Sequence, residues 1–104
     1  MLRVGIAGAG AVGCHYGSFL QQSGMEVAYL ARGEHLAALK KHGLTHISNG
    51  EARHLQVQAS DDSSILTACD VVLFACKTTV LDELCKQISP AIKSTALLIS
   101  MQNG

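Results

Sequence analysis

Apolar and polar positions divide this chain into short segments of changing period. Leu2 to Ala7 is apolar and branched without alternation, the pattern of a strand buried on both faces. Gly8 to Gly13 interrupts it. From Ala11 to about Ser23 the period turns helical, with Tyr16, Phe19, Leu20 and Ser23 at i, i+3, i+4 and i+7. Gly13 and Gly17 share one face of that helix. Each lowers helix propensity by ~1 kcal/mol relative to alanine, so the pair predicts a helix pressed closely on a sheet. Gly24 is placed to end it as a left-handed cap.

Glu26 to Ala31 is predicted as the second strand. A second helix follows over Gly33 to His42, with Leu36 and Leu39 on one face and Gly43 as its stop. Asn49-Gly50 is a two-residue hairpin signal. Leu55, Val57 and Ala59 alternate with His54, Gln56 and Gln58, so Leu44 to Ala59 is predicted as a β-hairpin with one wet face. Ser60 to Cys69 is expected as a short helix capped by Ser60 or Asp61. Val71 to Ala75 is another apolar strand. Thr79 to Asp82 fits a capping box. Val80, Leu84 and Ile88, flanked by Leu81 and Cys85, give the next helix an apolar stripe that Pro90 ends. Ala96 to Ser100 is the last strand.

Strands alternating with helices imply a parallel sheet with right-handed crossovers. The expected class is α/β: a Rossmann-like, doubly wound, mostly parallel sheet carrying a β-hairpin insertion. Residues 1–104 suffice for one modest domain. Because the chain stops just past a strand, it is expected to be a fragment of something longer.

Composition narrows the function. Eight basic and eight acidic residues cancel, and no basic stripe marks a nucleic-acid partner. No apolar run approaches the ~18 residues of a membrane helix. The N-terminus enters a strand without the pattern of a signal peptide, so a cytoplasmic location is expected. No metal site is expected, because Cys14, Cys69, Cys76 and Cys85 form no C-x-x-C pair and have no histidine at zinc-ligand spacing. They are expected to act as small buried hydrophobes. Cys14, near a helix start, has the alternative of enhanced thiolate character. His15 could approach a phosphate, whereas His35, His42, His46 and His54 are expected on exposed faces.

The candidate chemistry gathers at strand exits. Gly8, Ala9, Gly10, Ala11, Val12 and Gly13 form a complete G-x-G-x-x-G between a strand and a helix, the context in which that motif is specific. Gly8 permits the tight turn, Gly10 lets backbone approach a pyrophosphate, and Gly13 lets helix pack on strand. Free N–H groups and the helix dipole then face the phosphates. At the tip of the second strand, Tyr29-Leu30-Ala31-Arg32 offers no acid for a ribose 2′-hydroxyl, and Arg32 can instead pair with a 2′-phosphate. This selects NADP(H). Glu34 follows in the first turn of the second helix. Lys77 and Asn103 stand at two further strand exits. Lys77 offers a cation to cofactor or substrate, and Asn103 offers an amide donor and acceptor near the nicotinamide ribose.

These segments resemble the N-terminal domain of the ketopantoate reductase (2-dehydropantoate 2-reductase) family. V-G-I-A-G-A-G-A-V-G is similar to its fingerprint, L-A-R-G-E-H-L to its NADP-selecting segment, D-V-V-L-F-A-C-K-T-T to its strand-lysine motif, and Q-N-G to its Asn-Gly motif. The resemblance covers essentially the whole chain. It implies that Gly8 to Gly13 bind the NADP pyrophosphate, that Lys77 contacts the cofactor region, and that Asn103 touches cofactor and substrate. It implies reduction of ketopantoate, a small 2-keto acid, to (R)-pantoate with NADPH, in pantothenate and coenzyme A biosynthesis. It further implies that the principal catalytic lysine and an acidic substrate-binding partner come from a helical C-terminal domain. No catalytic residue is therefore expected in this chain, and the fragment alone is expected to be inactive. Two alternatives stand: a nucleotide-sensing regulatory module, and the first domain of another NAD(P)-dependent dehydrogenase acting on a sugar phosphate or polyol. A homodimer is expected to be possible.

Overall fold

The computed structural model describes residues 2–8, 11–75, 86 and 88–100, with backbone only for Ala11, Val12, His46, Ser48 and Ser100. Strand β1 (Arg3–Ala7) leads into helix α1 (Ala11–Gln22), strand β2 (Glu26–Leu30) and helix α2 (Gly33–His42). Strands β3 (Leu44–Ser48) and β4 (Glu51–Leu55) form an antiparallel hairpin. Strand β5 (Gln58–Ser60), a 3-10 turn (Ser63–Leu66), strand β6 (Val71–Phe74), a second 3-10 turn (Ser89–Ala91) and strand β7 (Leu97–Ser100) follow.

The main sheet has the order β5-β2-β1-β6-β7, parallel throughout. The chain winds outward from β1 in one direction, returns, and winds outward in the other. That reversal beside β1 is the arrangement in which α/β sheets open a crevice at the carboxyl ends of their strands.

Both faces of β1, β2 and β6 are covered, which explains their unbroken apolar runs. Val4 and Ile6 of β1, Val27 and Tyr29 of β2, and Leu73 of β6 face one way. They pack with Cys14 of α1 and Leu36 and Leu39 of α2. Ala7, Ala28, Leu30, Val72 and Phe74 face the other way, against Leu66, Cys69 and Ile88. Period-2 alternation thus feeds two cores rather than one core and solvent.

Helix α1 ends as its glycine predicts. Gly24 has φ +94°, its N–H bonds to the Gln21 carbonyl, and the Met25 N–H reaches back to the Leu20 carbonyl, a Schellman cap. Helix α2 stops at Gly43, with φ +69° and its N–H on the Leu39 carbonyl at 2.9 Å. The Asn49-Gly50 turn has φ of 52° and 80°, both positive as a type I′ hairpin turn requires.

Two expectations need correction. The hairpin does not run to Ala59. It ends where Leu44 pairs with Leu55, and Gln58 to Ser60 pair in parallel with Ala28 to Leu30. Two short strands of the same period look like one in sequence, and the open edge of β2 claims the second. Nor is Ser60 to Cys69 an α-helix. Ser60 is still in β5, and its Oγ accepts the Asp62 N–H at 3.0 Å. Asp62, not Ser60 or Asp61, is the cap, accepting from the Ser64 N–H at 3.0 Å. Most of the helix expected over Val80 to Ile88, including the capping box, lies outside the described residues. Ile88 itself is fully buried.

Candidate functional site

Strand register sets the site. Ala7 lies level with Leu30 on one side and with Phe74 on the other, Leu30 with Ser60, and Phe74 with Ser100. All five strands therefore end at one edge of the sheet, with the glycine turn at its middle.

Gly8 leaves β1 with φ +78°, in the left-handed region where a β-carbon is strained. Its carbonyl lies under α1. A β-carbon on Gly13 would stand 2.8 Å from Ile6 Cγ2, 3.2 Å from Ala75 Cβ and 3.4 Å from that Gly8 oxygen. The first and last glycines of the motif thus do the jobs the sequence assigns them: one turns the chain, the other lets α1 start directly above β1. Ala9 and Gly10 lie outside the described residues, as do the side chains of Ala11 and Val12. Gly17 continues the close contact one turn later, against the ring of Tyr29. Tyr29 is fully buried, and burial pushes its phenol up, so it stays neutral and donates to Gln21 Oε1 at 2.8 Å.

At the exit of β2, the Ala31 N–H is held by the Ser60 carbonyl at 3.0 Å. Arg32 follows in extended conformation as the N-cap residue of α2, without a side-chain capping bond. Its side chain is exposed and has no hydrogen bond or ion pair among the described residues. Gly33 has φ +65° with open space where a β-carbon would stand. Glu34 sits in the first turn of α2, exposed. An exposed guanidinium therefore stands beside a helix N-terminus without a side-chain cap, next to the glycine turn. That arrangement suits a phosphate, through charge-assisted hydrogen bonds and backbone N–H groups together.

Lys77 and Asn103, three residues beyond the ends of β6 and β7, lie outside the described residues. His15 is exposed, with its ring edge-on to Phe19 at 4.9 Å. Cys14 and Cys69 are buried, and burial raises both thiols, so Cys14 lacks the thiolate character a helix start can confer. Cys76 and Cys85 lie outside the described residues. Among the described residues no group of three or more His, Cys, Asp or Glu side chains is placed to hold a metal. No described helix is long and apolar enough to cross a membrane.

No spacing or motif singles out His35. Its Nε2 lies 3.6 Å from Cys14 Sγ, joining the first turns of α2 and α1. The partners are 21 residues apart in helices of different register, so no local spacing announces the contact.

The family model of ketopantoate reductase PanE/ApbA matches residues 4–104. A 2-dehydropantoate 2-reductase of Lactococcus lactis is 34% identical over 106 residues, covering 99% of this chain and 34% of that protein. The solved PanE/ApbA family ketopantoate reductase of Ralstonia eutropha superposes with a TM-score of 0.93 at 39% identity, covering 99% of this chain and 35% of that one. A D-mandelate dehydrogenase solved with NADH and anilino(oxo)acetate superposes with a TM-score of 0.88 at 29% identity, again over 99% of this chain and 34% of its own. The chain thus spans about a third of the length of the relatives it matches. With the winding of the sheet, the glycine turn and these matches in agreement, the chain belongs to the ketopantoate reductase PanE/ApbA family.

Proposed function

We propose that residues 1–104 are the NADPH-binding domain of an oxidoreductase that reduces a small 2-keto acid, with ketopantoate as substrate and (R)-pantoate as product. The observation that carries this reading is the pairing of two anion-ready features on one sheet edge. One is the glycine turn, with Gly8 at positive φ and Gly13 too close to Ile6 for a β-carbon. The other is the exposed Arg32, without an ion pair among the described residues, beside the start of α2.

Gly8 to Gly13, with Ala9, Gly10, Ala11 and Val12 between them, hold the pyrophosphate through backbone N–H groups. Arg32 binds the 2′-phosphate. Lys77 steadies the cofactor region, and Asn103 reaches both nicotinamide ribose and substrate. When bound, NADPH supplies the hydride that goes to the carbonyl carbon. A proton must reach the carbonyl oxygen in the same conversion. The group that gives it belongs to the part of the family's length that this chain does not span. The reaction serves pantothenate and coenzyme A biosynthesis in the cytoplasm.

The similarity to a dehydrogenase solved with NADH makes cofactor choice the measurement that matters. Calorimetric titration with NADPH and NADH should show tighter binding of NADPH. Arg32→Ala should weaken NADPH ~10-fold, about 1.4 kcal/mol, and leave NADH nearly unchanged. Equal losses for the two cofactors would remove the 2′-phosphate role, and no heat with either would remove the proposal.

A further inference from the structure

Two phosphate subsites on one edge must be held at a fixed span. The glycine turn and α1 define the first. The exit of β2 and the first turn of α2 define the second. Strand pairing fixes the two exits, since Ala7 is level with Leu30. It does not fix the turn of α2. That turn starts at Gly33, at φ +65° with open space where a β-carbon would stand. It carries no side-chain cap, and its Leu36 N–H bonds to the Arg32 carbonyl at a long 3.4 Å. Further along, Leu36 and Leu39 anchor α2 in the core. A polar contact ties the first turn to α1: His35 Nε2 to Cys14 Sγ at 3.6 Å.

Cys14 is itself fixed. It is buried within the core cluster that includes Ile6, Tyr29 and Leu36. Its burial keeps it a neutral thiol, able to donate S–H to an imidazole nitrogen or to accept N–H from it. An exposed histidine on a loosely started helix is thereby moored to an immobile group on the neighbouring helix.

We infer that His35 is a positioning residue for the adenosine 2′-phosphate: through Cys14 it fixes the first turn of α2, and so the place of Arg32 relative to the glycine turn. This rests on the proposed NADPH site. A ligand with phosphate at only one of the two subsites does not need the span. NADPH should feel the loss of the mooring, and NADH should not.

The test is a double-mutant cycle read with both cofactors on the purified protein. His35→Ala and Cys14→Ala should each weaken NADPH about fivefold and NADH less than twofold. The double variant should be no weaker than either single one, because both remove the same contact. His35→Gln, whose amide reaches to the position of Nε2, should restore most of the NADPH affinity. Additive losses would overturn the inference. So would equal losses for NADPH and NADH, which indicate general loosening of the fold. A loss in His35→Ala with none in Cys14→Ala would overturn it too, since His35 would then act on the phosphate directly. These outcomes differ from failure of the site itself, in which the unsubstituted protein does not distinguish the cofactors and Arg32→Ala changes nothing.

Discussion

Gly17 and Tyr29 occupy each other's space: a β-carbon on Gly17 would lie 2.5 Å from Tyr29 Cε1 and 2.6 Å from its hydroxyl oxygen. The ring cannot step aside, because it projects from β2 into the core under α1, fully buried, with its hydroxyl on Gln21. Gly17→Ala should therefore destabilise the fold. Alanine gains ~1 kcal/mol of helix propensity, but overpacking a tight core costs about 1–3 kcal/mol. The steric term should win, for a net loss of up to about 2 kcal/mol in urea unfolding. An unchanged or higher midpoint would show that the ring and helix part more easily than their burial implies.

Gly13→Ala should act on stability and binding together. Its β-carbon meets Ile6 at 2.8 Å and Ala75 at 3.2 Å, both short side chains with little freedom to yield. Lifting α1 from β1 would move the N–H groups proposed to face the phosphates. With the ~1 kcal/mol propensity gain set against about 1–3 kcal/mol of overpacking, the variant should lose up to about 2 kcal/mol of stability, and NADPH and NADH should weaken alike, since both carry the pyrophosphate. Selective loss of one cofactor would contradict the role given to this glycine.

Helices α1 and α2 and the parallel, doubly wound class of the sheet were legible for a physical reason. Their apolar positions face two cores, and glycines at 24 and 43 mark ends that need positive φ. The hairpin's far limit was not legible, because β4 and β5 carry the same alternation and only tertiary pairing separates them. The cap at Asp62 was missed because Ser60, Asp61 and Asp62 are all good N-caps, and the choice depends on Ser60 staying in the sheet. At the site, Gly8, Gly13 and Arg32 follow from a motif with fixed spacing. His35 does not, since its partner is set by how two helices lie side by side.

Thiol chemistry offers an independent check on α1. Burial raises the Cys14 and Cys69 thiols, which disfavours their thiolates in the folded state. Alkylation by iodoacetamide at pH 8 should be at least ~10-fold slower at both residues in native than in urea-unfolded protein, followed site by site by mass spectrometry. The sign for stability follows from the raised values. The contribution is intact below the unfolded thiol range, near pH 8.5, and is lost as pH rises through the folded values. Rapid native labelling of Cys14 would show its position in the core to be wrong.

Acid should act at the opposite end of the sheet. Asp70 accepts from Lys93 and from the Arg3 N–H, and these bonds hold its carboxyl below the usual aspartate range, the lysine contributing most. Because the folded value is depressed, the stabilisation is present above the ordinary aspartate pKa of about 3.9 and is lost as pH falls through the folded value. Asp70→Asn should lower the melting temperature near neutrality and flatten its fall below pH 4. A variant whose acid profile matches the parent would place the sensitivity elsewhere, first at Asp62, whose carboxyl is lowered by the Ser64 N–H.

Strand β7 pairs with β6 and has no second partner among the described residues, so its outer edge presents backbone donors and acceptors. Its side chains are apolar on both faces, with Leu97 59%, Leu98 53% and Ile99 39% exposed. An apolar strand with a free edge is a template for pairing with another strand. The 104-residue chain should therefore self-associate, giving dimers or larger species in sedimentation velocity as concentration rises. Leu98→Lys places a charge on that edge strand and should shift the distribution toward monomer without unfolding the chain, since Leu98 is already half in solvent. A parent chain that stays monomeric at high concentration, or a variant that associates as strongly as the parent, would mean that β7 is not the surface where copies meet.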